Sequence, residues 1–493
     1  MADISKKIRQ SKVLCGENKI LYARAVTLMS LFTFTFLGAE FLFVNIIART
    51  ASGNLSVNAQ NYVLGISALG FLLYPLFNRI FGGILKAVIS LTAAVISVAC
   101  LFIMCRGNSY PLTLCFGLLL FLLLGSYGGA VYCKSLYLLK TNAHLARLVG
   151  ISYMLGTVLQ IANNNLIRTD ISEACILSAF IIILAFILIK TKKSSIEPKT
   201  ESENRNKDDN ADKKGILKTG VVLIFFVALM TCIFSTLDNA VTLYHVSGVV
   251  NIGQWPRVLL ALSGLAAGFL FDIADRKYMS IIMYCVMILS TVSLVILQFA
   301  GPFTIGLIVF YLSAGFFAVF FTASFMEIAR YTKTTALWAG LGRTVNNLVA
   351  VAISGGSLAI LNSGNNIAII TTELLLFVLT SIAAIIYTNS RKEFFEKLNA
   401  INDSKLKGHE KLQKLSERFS LTPRETEVFG LLVSTEDGLQ AIADKLYVSR
   451  RTLERYVSAI YEKNRCKIKN RTNFFIQLNI KDISNTSHMD GCT

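Results

Sequence analysis

Charge is scarce in this chain. Only 16% of its 493 residues are Asp, Glu, Lys or Arg, against 54% hydrophobic, and the mean hydropathy is +0.58. Soluble globular domains carry about 25% charged residues, so an ordinary water-soluble globule is excluded. Histidine is rare, four in all, and the ten cysteines are scattered without CxxC or any other metal-ligand spacing. Neither a zinc site nor a disulfide framework is expected; cysteines in apolar runs pack as small hydrophobes. A catalytic triad, a phosphate-cradling glycine loop and a phosphoacceptor receiver domain are also missing. The expectation is a protein that is not an enzyme, uses no cofactor or metal and is not driven by a partner kinase. The opening MADISKKIRQSKVLCGENK is polar and basic, with no short apolar core and cleavage site behind it, so no cleavable signal peptide is expected.

What is present is a series of apolar runs long enough to cross ~30 Å of hydrocarbon. Twelve spans are expected, near 25–48, 61–79, 84–105, 111–133, 146–166, 171–190, 217–242, 254–272, 279–300, 303–327, 336–361 and 367–388. Residues 192–214, KKSSIEPKTESENRNKDDNADKK, are too polar to bury a core and read as a solvated linker. Charge placement orients the spans. Alternate loops hold Arg79 and Lys86, then Lys134, Lys140 and Arg147, then Arg276 and Lys277, then Arg330 and Lys333; the opposite loops hold only Arg49, Arg106, Arg168 and Arg257. The positive-inside rule therefore puts both termini in the cytoplasm. The lipid bilayer is the first expected partner.

Ionisable groups inside spans cost a few kcal/mol by insertion scales and need a reason. Glu40 in the first span and Asp238 in the seventh occupy comparable places in the two sets of six, so they are candidates to face one central space and sense an unknown small-molecule ligand. Arg343 in the eleventh span is their candidate counter-charge. Pairing with neighbours, or reaching to an interface, is the competing explanation for all three.

The C-terminal segment is different in kind. Thr422-Pro-Arg-Glu425 has the form of a capping box with proline at the first helical position. Val428, Leu431 and Leu432 follow at helical spacing, then Leu439, Ile442, Ala443 and Leu446, then Leu453, Val457 and Ile460. Ser449 suits an N-cap. Arg451, Glu454, Arg455 and Ser458 fall off the apolar face of the third helix. Between 450 and 471, Arg450, Arg451, Arg455, Lys463, Arg465, Lys467, Lys469 and Arg471 face only Glu454 and Glu462 in acid. An amphipathic helix with an arginine-bearing outer face after a short helix and a tight turn points to duplex DNA.

Two resemblances follow from these residues. Two sets of six spans with a polar linker resemble the major facilitator superfamily, whose halves are parallel repeats. Gly268-Phe-Leu-Phe-Asp272-Ile-Ala-Asp275-Arg276-Lys277 is similar to its loop motif G-x-x-x-D-x-x-G-R-K, with Asp275 where the motif has glycine. The first-half copy, Asn78 to Gly83, is degenerate. The resemblance implies that Gly268, Asp272, Arg276 and Lys277 pin helices through an acid–base contact. Leu421 to about Phe475 closely resembles the LuxR-type helix-turn-helix of bacterial regulators. It implies that Glu454, Arg455 and Ser458 meet base edges and that Arg451, Thr452, Lys463 and Arg471 lie near phosphates, with double-stranded DNA as partner. It further implies a homodimer through a last helix near 471–479, and it admits RNA polymerase as a partner. Lys463-Asn-Arg-Cys466 and about two inserted residues before Asn470 depart from that pattern.

The expected fold class is all-α: a twelve-helix transmembrane bundle in two halves plus a small four-helix DNA-binding domain. The expected divisions are a cytoplasmic tail (1–24), the first half (25–190), a polar linker (191–216), the second half (217–388), a helical linker (389–420) and the helix-turn-helix domain (421–493). The functional expectation is a regulator in the bacterial inner membrane with the bundle as sensor. The alternative is a transporter carrying a regulatory DNA-binding domain.

Overall fold

The computed structural model describes residues 2–107, 109–139, 144–191, 209–249, 251–300, 303–363, 365–434 and 438–463. Among these the chain forms fifteen helices and no strand. It divides into two compact units, Met1–Lys392 and Glu393–Thr493.

The first unit is built from α1 (Ala2–Ile47), α2 (Gly53–Ile80), α3 (Gly83–Arg106), α4 (Tyr110–Leu138), α5 (Leu145–Leu166), α6 (Asp170–Lys190), α7 (Asp209–Val246), α8 (Trp255–Phe271), α9 (Met279–Ala300), α10 (Phe303–Ala329), α11 (Thr335–Asn362) and the first part of α12 (Asn366–Arg418). In hydrocarbon every backbone polar group must be satisfied within its own segment, which leaves the helix as the form these apolar runs can take. Local chemistry sets the ends. Proline opens α4 and α8, and Thr169 Oγ1 accepts the Ser172 N–H to cap α6, whose first turn carries Asp170 and Glu173.

Twelve helices occur in the expected order, and among the described residues ten of them are long and apolar enough to cross a membrane. Of the other two, α8 (Trp255–Phe271) is the shorter. Proline at one end of α8 and Asp272 at the other confine it to 17 residues, or ~25 Å. The tail 1–24 is helical from Ala2, and helix resumes at Asp209 within the polar linker; a helix once formed propagates into flanking residues that lack breakers. Residues 192–208 lie outside the described residues.

Short connections make successive helices alternate in direction. The end of the bundle where α5 and α11 begin and α8 stops is called the near end, and the opposite one the far end. Leu91 and Val95 on α3, Ile183 and Phe186 on α6, and Leu375 and Ile385 on α12 are exposed, an apolar outer belt suited to lipid. Phe32, Phe36, Phe71 and Phe121 fill the first half, and Phe226, Phe271, Phe320 and Tyr387 the second.

The halves meet along two seams. Between α2 and α11, Asn362 Nδ2 donates to Asn54 Oδ1 (3.2 Å), Ser354 Oγ to Asn58 Oδ1 (2.8 Å) and Asn347 Nδ2 to Ser67 Oγ (2.8 Å). Asn239 of α7 joins this row, accepting from Asn61 (2.8 Å) and donating to Ser357 (2.6 Å). Between α5 and α8, a Cβ on Gly150 would lie 2.6 Å from the Gly264 carbonyl and from Gly268 Cα. Small residues are what allow two helices to approach this closely in lipid.

The second unit contains the end of α12, α13 (Pro423–Ser434), α14 (Leu439–Lys445) and α15 (Arg450–Lys463). Val428, Phe429, Leu432, Ile442, Ala443, Leu446, Leu453, Val457 and Ile460 form its core, with Leu412 and Leu415 of α12 packed on it. The expected linker 389–420 is helical to Arg418: α12 runs from the last apolar run through Gly408 without a break. The helix expected near 471–479 lies outside the described residues.

Candidate functional site

Glu40 sits about two turns from the far end of α1 and Asp238 about two turns from the far end of α7. Both are half-buried. Gln60 Nε2 donates to Glu40 Oε1 at 2.8 Å. The charges of Glu40 and Arg257 both act on Asp238, so the two acids share one electrostatic neighbourhood. Tyr311 feels Arg257, Asp238 and Glu40, and Tyr153 feels Arg343, Arg257 and Glu40. These side chains come from α1, α5, α7, α8, α10 and α11, three helices of which face their counterparts across a seam.

Arg343 is not the ion-pair partner expected for the acids. It lies about two turns from the near end of α11, whereas the acids lie toward the far end. Its guanidinium is held between two rings, 5.6 Å from the Phe36 centroid and 5.2 Å from that of Phe321, and its buried Nε has no hydrogen-bond partner among the described residues. The charge nearest the acids is Arg257, which donates to Gln160 Oε1 at 3.3 Å. Sequence reasoning missed Arg257 because it stands in a loop-like stretch beside Pro256.

The loop motif forms a buried network at the near end. Asp272 accepts the backbone N–H groups of Ala146 (3.2 Å) and Arg147 (2.9 Å) at the start of α5. Arg276 pairs with Asp272 at 3.2 Å and with Glu327 at 2.8 Å, and Arg391 pairs with Glu327 at 2.9 Å. A carboxylate at a helix N-terminus meets orphan N–H donors and the positive end of the dipole, so Asp272 ties α8 to α5 of the other half. Gly268 is the close-approach residue one turn earlier, and Lys277 lies over the Tyr278 ring. Ala274, Asp275 and Arg276 all have positive φ, 49°, 52° and 67°, a left-handed turn that explains why glycine suits the position Asp275 occupies. Glu327 and Arg391 were not foreseen. Glu327, an acid inside the run FMEIA, carried the same signal that singled out Glu40.

In the second unit, Tyr447 (φ 54°) makes the turn between α14 and α15, and Arg424 Nη2 donates to the Leu446 carbonyl at 2.8 Å to hold it. Ser449 Oγ accepts the Thr452 N–H (3.2 Å) and shares a hydrogen bond with the Thr452 hydroxyl. Leu453, Val457 and Ile460 are buried, while Arg451, Glu454, Arg455 and Ser458 are exposed on the opposite face. Glu454 is engaged by Arg450 at 3.0 Å. Lys463, expected near phosphate, is exposed, and its Nζ donates to the Ser420 carbonyl (3.2 Å) and to Glu425 Oε2 (2.5 Å). Burial raises the Glu425 carboxyl, but the Lys463 and Thr422 hydrogen bonds outweigh it and hold it below the usual glutamate value. Arg471 lies outside the described residues. Among the described residues no His, Cys, Asp and Glu group has the geometry of a metal site.

Two helical halves closed along paired seams, with polar and charged side chains between them, define a transporter-type bundle in a multi-pass membrane protein. The Escherichia coli fucose:proton symporter FucP (N162A) matches with TM-score 0.50 at 13% identity, over 75% of this chain and 99% of that one; FucP is itself described as a Major Facilitator Superfamily transporter. The nucleoside transporter NupG (D323A mutant) aligns at 14% identity with TM-score 0.47 over 75% of this chain and 99% of that one. The human organic anion transporter MFSD10 aligns at 12% and 0.47 over 74% of this chain and 99% of that one. The FucP match shows a major facilitator-like fold for the membrane unit; identity this low shows the fold alone. No family model and no curated protein matches the chain.

Proposed function

We propose that the chain is a solute transporter of the major facilitator type that carries a DNA-binding regulatory unit at its C-terminal end. The observation that carries the transporter reading is the charged cluster between the halves: Asp238 and Arg343 stand in the bundle interior without an ion pair among the described residues. Charge is kept in such a place at a cost of a few kcal/mol, which binding a solute offsets. The concentration of Arg79, Lys134, Arg147, Arg276 and Arg330 at the near end supports a cytoplasmic near end, and so a C-terminal unit on the side where DNA is found. For that unit, the exposed row Arg451, Arg455 and Ser458 on α15 and the LuxR-type resemblance support major-groove binding. Glu454 and Arg455 are proposed base readers, with dimerisation through residues 471–479.

Genome-wide mapping of bound DNA with wild type and Arg455→Ala tests the regulatory half of this reading, and solute uptake by reconstituted vesicles tests the transport half. Discrete sites lost in Arg455→Ala at equal membrane abundance support it; no discrete sites in wild type refute it. The second reading, a bundle that senses without transporting, is favoured by one observation. Buried Asp272, paired with Arg276, accepts the Ala146 and Arg147 N–H groups of the other half, so opening the near end strips a buried carboxylate of its helix-end donors. Sites on DNA without uptake of any solute would select that reading.

A further inference from the structure

The interior cluster holds two acids, Glu40 and Asp238, and two arginines, Arg257 and Arg343. Its formal charge is therefore balanced. A solute of net charge would leave an uncompensated charge in a low-dielectric interior, whereas a dipolar one would not. The charges are also sorted by depth, acids toward the far end and Arg343 toward the near end. At ~1.5 Å per residue along α7 and α11, and after side-chain reach, the acids and the Arg343 guanidinium are separated by on the order of 10 Å. Both ends are incompletely satisfied. Asp238 makes no ion pair among the described residues, and the Arg343 guanidinium is held by aromatic faces, with its Nε unbonded. Rings can fix the orientation of the fork, and its unbonded Nε is a donor a carboxylate would satisfy. Tyr153 and Tyr311 share the electrostatic neighbourhood of these charges.

Resting on the solute-binding reading above, we infer that this cluster binds an elongated zwitterion, its ammonium at Glu40 and Asp238 and its carboxylate at Arg343. The chemistry fits an ω-amino acid or a dipeptide, in which several bonds separate the two charges. A simple α-amino acid is too short to reach both.

Thermal unfolding of the purified full-length chain in detergent tests this with 6-aminohexanoate and glycylglycine as probes. Alanine serves as the short control, and the methyl esters and N-acetyl derivatives of both probes remove one charge each. The expected result is stabilisation by at least one long zwitterion, about tenfold weaker or more when either charge is capped. Arg343→Gln removes the response and Arg343→Lys keeps part of it, which separates lost recognition from lost folding. Equal stabilisation by capped and uncapped forms overturns the inference, as does no response to any long zwitterion. If sugars or nucleosides stabilise the protein instead, and Asp238→Asn removes that effect, the zwitterion falls while solute binding stands. If no solute of any class does so, both fall.

Discussion

Glu425 ties together the start of α13 and the end of α15, and its removal has a magnitude that can be worked out. Its Oε2 accepts the Thr422 N–H at 2.7 Å and the Lys463 ammonium at 2.5 Å, while its own N–H points to Thr422 Oγ1 at 3.4 Å. The capping part is worth ~1 kcal/mol. The ion pair, with Lys463 about one-third exposed (35%), contributes under ~1 kcal/mol after solvent screening. Glu425→Ala therefore costs about 1.5 kcal/mol, and Glu425→Gln, which keeps an acceptor for the Thr422 N–H, about half as much. Hydrogen exchange on the full-length protein reads this as roughly tenfold faster opening of the amides around Val428 and Val457 in the alanine variant. The carboxyl is held below its usual value, so its stabilisation is fully present above about 4.5 and is lost as pH falls through the lowered folded value. Protection in wild type should thus fall on acidification, and the gap to Glu425→Gln should close. Exchange unchanged in Glu425→Ala at neutral pH, or a gap that persists in acid, refutes the argument. By the same contacts, Lys463→Ala should loosen the domain as well as weaken any phosphate contact.

Three further outcomes are expected. Asp272→Asn leaves the α5 N-terminus without its anion and Arg276 with Glu327 alone, a loss of about 2 kcal/mol. Thiol labelling of cysteines placed at the near end should rise, and unchanged labelling would remove Asp272 as a clamp. Asp275→Gly relieves a left-handed residue at an exposed site (φ 52°) and should raise the unfolding temperature, by about 1 kcal/mol in free energy; a lower temperature contradicts the strain. Gly150→Val forces α5 from α8 because a Cβ already meets backbone at 2.6 Å. It should destabilise the closed bundle by about 1–3 kcal/mol, seen as easier near-end labelling, whereas Gly355→Ala, whose Cβ meets nothing within 4 Å, should have no such effect.

Closure at both ends gives the interior cluster its leverage. Asp272 and the Gly150–Gly268 contact hold the near end, and Asn54–Asn362 and Arg257–Gln160 hold the far end. A bound solute shifts that balance only by the difference in its affinity for the two arrangements. Arg257 touches both a far-end contact and the charged cluster, so it is where occupancy and closure are most directly linked.

Local pattern alone determined a great deal. The apolar runs set the order of the helices. The spacing of Leu453, Val457 and Ile460 separated a packed face of α15 from the face of Arg451 and Arg455. Thr422 and Glu425 announced their capping box three residues apart. These features depend on neighbours within a turn or two, where helical period and capping chemistry act. What the chain does at long range was decided only by the tertiary structure. Asp272 meets Ala146 across 126 residues and Asn347 meets Ser67 across 280, and no periodicity records such pairs. Arg343 found two aromatic rings instead of an acid, and Lys463, though exposed, found Glu425, because depth in the bundle and the packing angle of a helix decide which of several chemically acceptable partners lies within reach.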